Sequence, residues 1–317
     1  GGWSYIVHES GGVISEVFAV MFAGVTQAFF MSSFFMISAF FTPFGCDQKG
    51  PWGFARRRLI RLGIPILVYY YVLSLVLHYL VYTFRGHAHQ GFFEFFSSHF
   101  LRDGDPGPLW FAQALLVFEA VYLLIRFVSG RLGRVPRTYV LPNNRQVFLF
   151  IIGIGLFTFF YRQWFPVGTG PSQINLGLFT LNLRFLHFNL GFFPLYVCMF
   201  TFGVIAYRSG WFISLTIQQA NRWFYISLGA IALMPVFFLL NDRMGYDAYK
   251  FWRGFNWQCY VYSAWEPFLC VGINMKLIVF FRDRFNFSNA FTKRAAKSSF
   301  TAYIFHAFFI VIPTYFF

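Results

Sequence analysis

The chain has 317 residues, of which 58% are hydrophobic and only 11% charged, and its mean hydropathy is +0.56. A soluble domain carries about 25% charged residues, so this composition excludes one and asks for a lipid bilayer as solvent. The formal charge of +14 would suit nucleic acid, but the basic residues sit between apolar runs and form no free basic helix or stripe, so no nucleic-acid partner is expected.

A bilayer core about 30 Å thick takes about 20 mostly apolar helical residues to cross. Eight such runs follow one another, at 17–41, 62–84, 109–127, 147–165, 188–207, 223–240, 255–281 and 298–317. They predict an all-α, polytopic transmembrane bundle forming one integral membrane domain over 1–317, with strand only as short loop segments. The second run is preceded by "FARRRLIRLGIP" at 54–65, with arginines at 56, 57, 58 and 61. On the residues alone, these either anchor the helix at the headgroups or hold an anion. His87 and His89, with His99 further on, fall in the next loop; a solvated loop is the expected reading and no metal site is assigned. Glu119 lies at mid-depth in the third run.

The seventh run carries Trp265, Glu266 and Pro267, with Glu266 eleven residues in, roughly 16 Å deep at 1.5 Å per residue. A carboxylate there has to be paired, protonated or facing water, which makes it a functional candidate beside the plain alternative of a helix-to-helix hydrogen bond. His306 lies in the eighth run, where a neutral imidazole can satisfy a carbonyl or act as a base. Lys276 is expected to snorkel. The four cysteines, at 46, 198, 259 and 270, show no metal-ligand spacing.

Orientation follows from the lysines and arginines. One alternate set of loops holds 17 of them, including Arg56–Arg58, Arg126, Arg208 and Arg282; the other holds 7, including Arg85, Arg102, Arg162 and Arg184. The rich set is expected on the cytosolic side and residue 1 on the outer side. Trp110, Trp164, Trp252 and Trp257 then fall at outer ends, and Trp52, Trp211 and Trp223 at inner ones, as amphipathic rings should. A chain starting outside without Met or signal segment is expected to be preceded by something, and "FIVIPTYFF" closes a span barely complete, so truncation at both ends is expected.

Five stretches then taken together, "QAFFMSSFFMISAFFTP" at 27–43, "RRRLIRLGIPIL" at 56–67, "GPLWFAQALLVFEAVY" at 107–122, "AWEPFLCVG" at 264–272 and "SFTAYIFH" at 299–306, resemble the signatures of the acyltransferase-3 family of membrane-bound acyltransferases, in the same order. The resemblance implies a bundle of about ten helices, of which the eight here are the second to ninth. It implies transfer of an acyl group from acyl-CoA, a cosubstrate rather than a bound cofactor, to a hydroxyl of a carbohydrate or similar acceptor. Arg58 and Arg61 match the family's Arg-x-x-Arg pair, with Arg57 adding charge, and are expected to hold the donor's phosphates. Trp110 and Trp265 are expected on the acceptor side, and Glu266 and His306 in the catalytic region. The family's catalytic His follows an Arg on a first helix not seen here, and His8 has no such Arg before it, so the role is not carried onto His8. A secondary transporter or flippase, or a catalytically inactive fragment, are the competing readings.

Overall fold

The computed structural model describes residues 13–84, 91–100, 104–129, 138–170, 173–175, 180–182 and 188–316. Trp3, His8, His87, His89, and Arg85, Arg102, Arg131, Arg134, Arg137 and Arg184 lie outside them. The main helices are α1 (Val13–Arg58), α2 (Ile64–Val68), α3 (Ser74–Phe84), α4 (Phe92–His99), α5 (Trp110–Val128), α6 (Asn144–Tyr161), α7 (Phe193–Ser209), α8 (Trp211–Ser214), α9 (Ile217–Arg243), α10 (Trp257–Arg284) and α11 (Ala290–Phe316). Two three-residue strands, β1 (Gln173–Asn175) and β2 (Thr180–Asn182), pair antiparallel. Each of the eight expected spans falls on helix, and the polytopic all-α architecture is the one composition requires. Asn143, Thr216 and Asn256 start α6, α9 and α10 by accepting a backbone N–H two or three residues into the helix.

Among the described residues, seven stretches are long and apolar enough to cross a membrane, and the first covers 67 residues, Phe18–Phe84. At 1.5 Å per residue that is about 100 Å, more than three bilayer cores, so it cannot be a single crossing. The break is at Gly50, whose φ of 68° and ψ of 163° are accessible to glycine alone, and Pro51 follows with its φ preset for a new first turn. Contacts on either side show that the path reverses. A Cβ on Gly45 would stand 3.1 Å from the Phe54 ring, Thr42 and Arg58 both reach Glu119, and Asp47 between them reaches Arg126 nearer the end of α5. The stretch is therefore a helical hairpin of two spans. Its returning arm contains two π-helical turns, Leu59–Gly63 and Tyr69–Leu73.

At the arginine-rich end, Asp47 accepts from Arg126 at 2.8 Å and also from Arg208, tying α1, α5 and α7 together. The indole N–H groups of Trp211 and Trp223 donate to Tyr139 O and Asn144 Oδ1 at the same end. Lys276 donates to Asn221 at the start of α9, so its amine leaves the apolar interior as snorkelling requires. The helix nearest the centre is α10, which packs on α9, α6 and α1 and buries Gln258, Ser263, Glu266 and Asn274. Lipid offers no hydrophobic drive between helices, so close backbone approach has to supply the packing. Gly203 of α7 provides it against α1, since an added Cβ would stand 2.2 Å from Met36 O. Gly203→Leu is therefore expected to destabilise by about 1–3 kcal/mol or more through overpacking, read as a lower thermal midpoint in detergent; an unchanged midpoint would mean the α1–α7 crossing is looser than described.

Candidate functional site

Among the described residues, two clusters of charge stand inside the bundle. The deeper one is built on Arg162, the residue that ends α6. Its side chain turns into the interior and is fully buried. Nη2 donates to Glu266 Oε2 at 2.6 Å, Nη1 to Ser263 Oγ at 3.0 Å and Nε to Gly191 O at 3.1 Å. The guanidinium also lies over the Tyr262 and Phe192 rings, 5.1 and 5.6 Å from their centroids. Burial strengthens such a pair and makes an unpaired member costly. Glu266 is thus paired with an arginine, the first of the three states its depth allows: paired, protonated or facing water.

Around this pair the side chains are aromatic. Trp265 donates its indole N–H to Ala230 O at 2.9 Å and stacks on Tyr262 at 5.8 Å. Tyr196 is buried nearby in the same core, its hydroxyl accepting from Gln27 Nε2 at 2.7 Å, and the Trp110 ring lies 6.1 Å from it. Trp110 and Trp265 therefore border one aromatic core. His306 is placed differently: Nδ1 meets Tyr303 O at 2.7 Å and the ring stacks on Tyr303, whose hydroxyl donates to Pro108 O. Among the described residues no hydrogen bond links His306 to Glu266.

The second cluster joins the hairpin to α5. Arg58 Nε stands 3.0 Å from Glu119 Oε1, and the Thr42 hydroxyl, which donates to Ser38 O at 2.9 Å, lies 3.4 Å from the same oxygen. Glu119 is nine residues from each end of α5, about 14 Å from either, so Arg58 reaches mid-bundle. Arg57 and Arg61 are both exposed. Arg61 is three residues further along the returning arm, about 4–5 Å deeper, on the first π-helical turn, a geometry that recurs at functional sites. An exposed guanidinium at that depth is tolerated where it meets water or an anion, not hydrocarbon. Elsewhere, a cavity of about 550 Å³ between α6, α7 and α10 is lined by residues such as Val147, Phe202 and Met275, with no charged side chain.

A family model described as an acyltransferase domain matches residues 3–317. The chain belongs to the acyltransferase-3 family. It is a multi-pass member of a family of membrane acyltransferases, and no curated protein or solved structure matches it. Within this acyltransferase-3 chain, the Arg-x-x-Arg pair Arg58 and Arg61 and the tryptophans Trp110 and Trp265 lie in separate clusters, the first on the hairpin and the second in the aromatic core. Two members of these clusters escape sequence reasoning. Arg162, within the apolar run 147–165 and counted with the basic residues of the poorer loop set, reads as an ordinary interfacial anchor. Tyr196 sits in an aromatic-rich span that looks like lipid-facing packing.

Proposed function

We propose that this protein is an O-acyltransferase that takes an acyl group from acyl-CoA at the cytosolic side and passes it to a hydroxyl of a carbohydrate or similar acceptor handled on the other side. The observation that carries the reading is Arg58 and Arg61 at mid-depth, with Arg57 beside them, in a chain of an acyltransferase family. Guanidinium forks match phosphate oxygens bidentately, and several together suit the phosphates of coenzyme A. In the reaction, the acceptor oxygen attacks the thioester carbonyl and a histidine takes the hydroxyl proton. The C–O ester bond forms, the C–S bond breaks, and coenzyme A leaves as thiolate and recovers the proton. Glu266, Arg162 and the rings of Trp110 and Trp265 shape the acceptor side. The Nδ1 bond of His306 leaves its Nε2 as the nitrogen able to act as base.

A proton-coupled carrier would need a carboxylate free to exchange its proton, and the bond from Arg162 to Glu266 works against that reading. The test is release of coenzyme A thiol from acetyl-CoA by the protein in proteoliposomes, with and without hydroxyl acceptors such as oligosaccharides. Acceptor-dependent release is expected. Movement of a solute across the bilayer with the thioester intact would favour the carrier.

A further inference from the structure

The contact between Arg58 and Glu119 uses one edge of the guanidinium. Nε is the nitrogen that meets the carboxylate, in an ion pair at 3.0 Å, and no nitrogen of Arg58 makes a hydrogen bond to a described residue. The carboxylate side is buried, with Glu119 side-chain exposure of 3%, while Arg58 retains 22%. The Phe54 ring of its own arm packs against the guanidinium, 5.3 Å from its carbon. Arg58 is thus fixed from behind, by a carboxylate on α5 and a ring on its own arm.

We propose that Glu119 is a positioning residue for the acyl donor: it anchors the Nε edge of Arg58 so that the two Nη groups face outward as a preformed fork for a phosphate of coenzyme A. This rests on the reading that Arg58 holds the donor. Glu119 has two opposed effects on an anionic ligand. Its charge repels the phosphates, and its oxygen removes the conformational freedom that Arg58 would otherwise lose on binding. Its position suits both: buried on α5, it cannot leave to be hydrated, and it stays against the arm that carries Arg58. Without donor, it also serves as the counter-anion that makes a mid-depth arginine tolerable.

The two effects separate by substitution. Glu119→Gln removes the charge but keeps an oxygen for Nε; Glu119→Ala removes both. Since the charge loss is common to the two, the ratio of their affinities isolates positioning. The measurement is equilibrium binding of coenzyme A to the full chain in lipid nanodiscs, beside Arg58→Ala and the double variant Glu119→Ala/Arg58→Ala. Glu119→Gln is expected to bind coenzyme A on the order of threefold more tightly than the parent. Glu119→Ala is expected to bind about tenfold more weakly than Glu119→Gln, and to change affinity less than about twofold once Arg58 is already alanine. Arg58 is partly exposed, so neither substitution leaves a fully buried charge behind, and thermal midpoints should confirm folding. Equal affinities for the Gln and Ala variants, or an undiminished Glu119→Ala effect without Arg58, would overturn the positioning role while leaving the donor site standing. If Arg58→Ala alone binds coenzyme A as the parent does, the donor reading falls, and this inference with it.

Discussion

Arg162→Ala is expected to lower stability by about 3–5 kcal/mol, enough to leave much of the protein unfolded at physiological temperature. Arg162 makes three hydrogen bonds and is fully buried, and removing it strands Glu266 as a buried charge without its partner. Glu266→Gln should cost less, because the amide still accepts from Nη2. The paired change Arg162→Met with Glu266→Leu should recover most of the loss, since replacing both members of a buried pair by apolar side chains of similar volume is often neutral. Thermal unfolding in detergent checks all three. A loss under about 1 kcal/mol for Arg162→Ala would mean that water or another group reaches Glu266. Because stability and function are separate readouts, a paired variant that folds but transfers no acyl group would place the Arg162–Glu266 pair in the acceptor site rather than only in the scaffold.

Removing both Arg58 and Arg61 should weaken coenzyme A binding by about 10- to 100-fold per arginine, from the loss of charge-assisted hydrogen bonds worth about 1.5–3 kcal/mol each. The remaining affinity should fall less steeply with salt than that of the parent, since fewer phosphate charges are matched. Insertion should survive, because Arg56 and Arg57 remain beside the hairpin turn. A double variant that fails to insert, with binding unchanged in whatever does insert, would return these arginines to the role of anchors.

The spans were legible because 20-residue apolar runs have few alternatives in lipid, and the alternation of lysine and arginine between loops matches the end where Asp47, Arg126 and Arg208 meet. Glu266 was legible as an anomaly, a charge too deep to be ordinary. What it touches was not, because Arg162 lies 104 residues away in the chain and only the fold brings them within 2.6 Å. The bond between Arg58 and Glu119 escaped for the same reason: each stood out in its own run, and their pairing depends on the reversal at Gly50, which local sequence marks only as Gly-Pro. The π-helical turn carrying Arg61 leaves no mark in the apolar pattern, since both α and π turns accept the same residues. The expected fourth span, 147–165, extends four residues past the end of α6, because Trp164 and Phe165 continue the apolar pattern while the helix stops at Tyr161 and Arg162 turns into the interior.

The donor site is tested most directly by where coenzyme A touches the chain. Modification of arginines by phenylglyoxal, mapped by mass spectrometry on the protein in nanodiscs with and without saturating coenzyme A, reads this residue by residue. Protection of Arg58 and Arg61, with exposed Arg145 and Arg243 modified alike in both samples, is the result predicted. Equal modification of Arg58 and Arg61 with and without coenzyme A would contradict it.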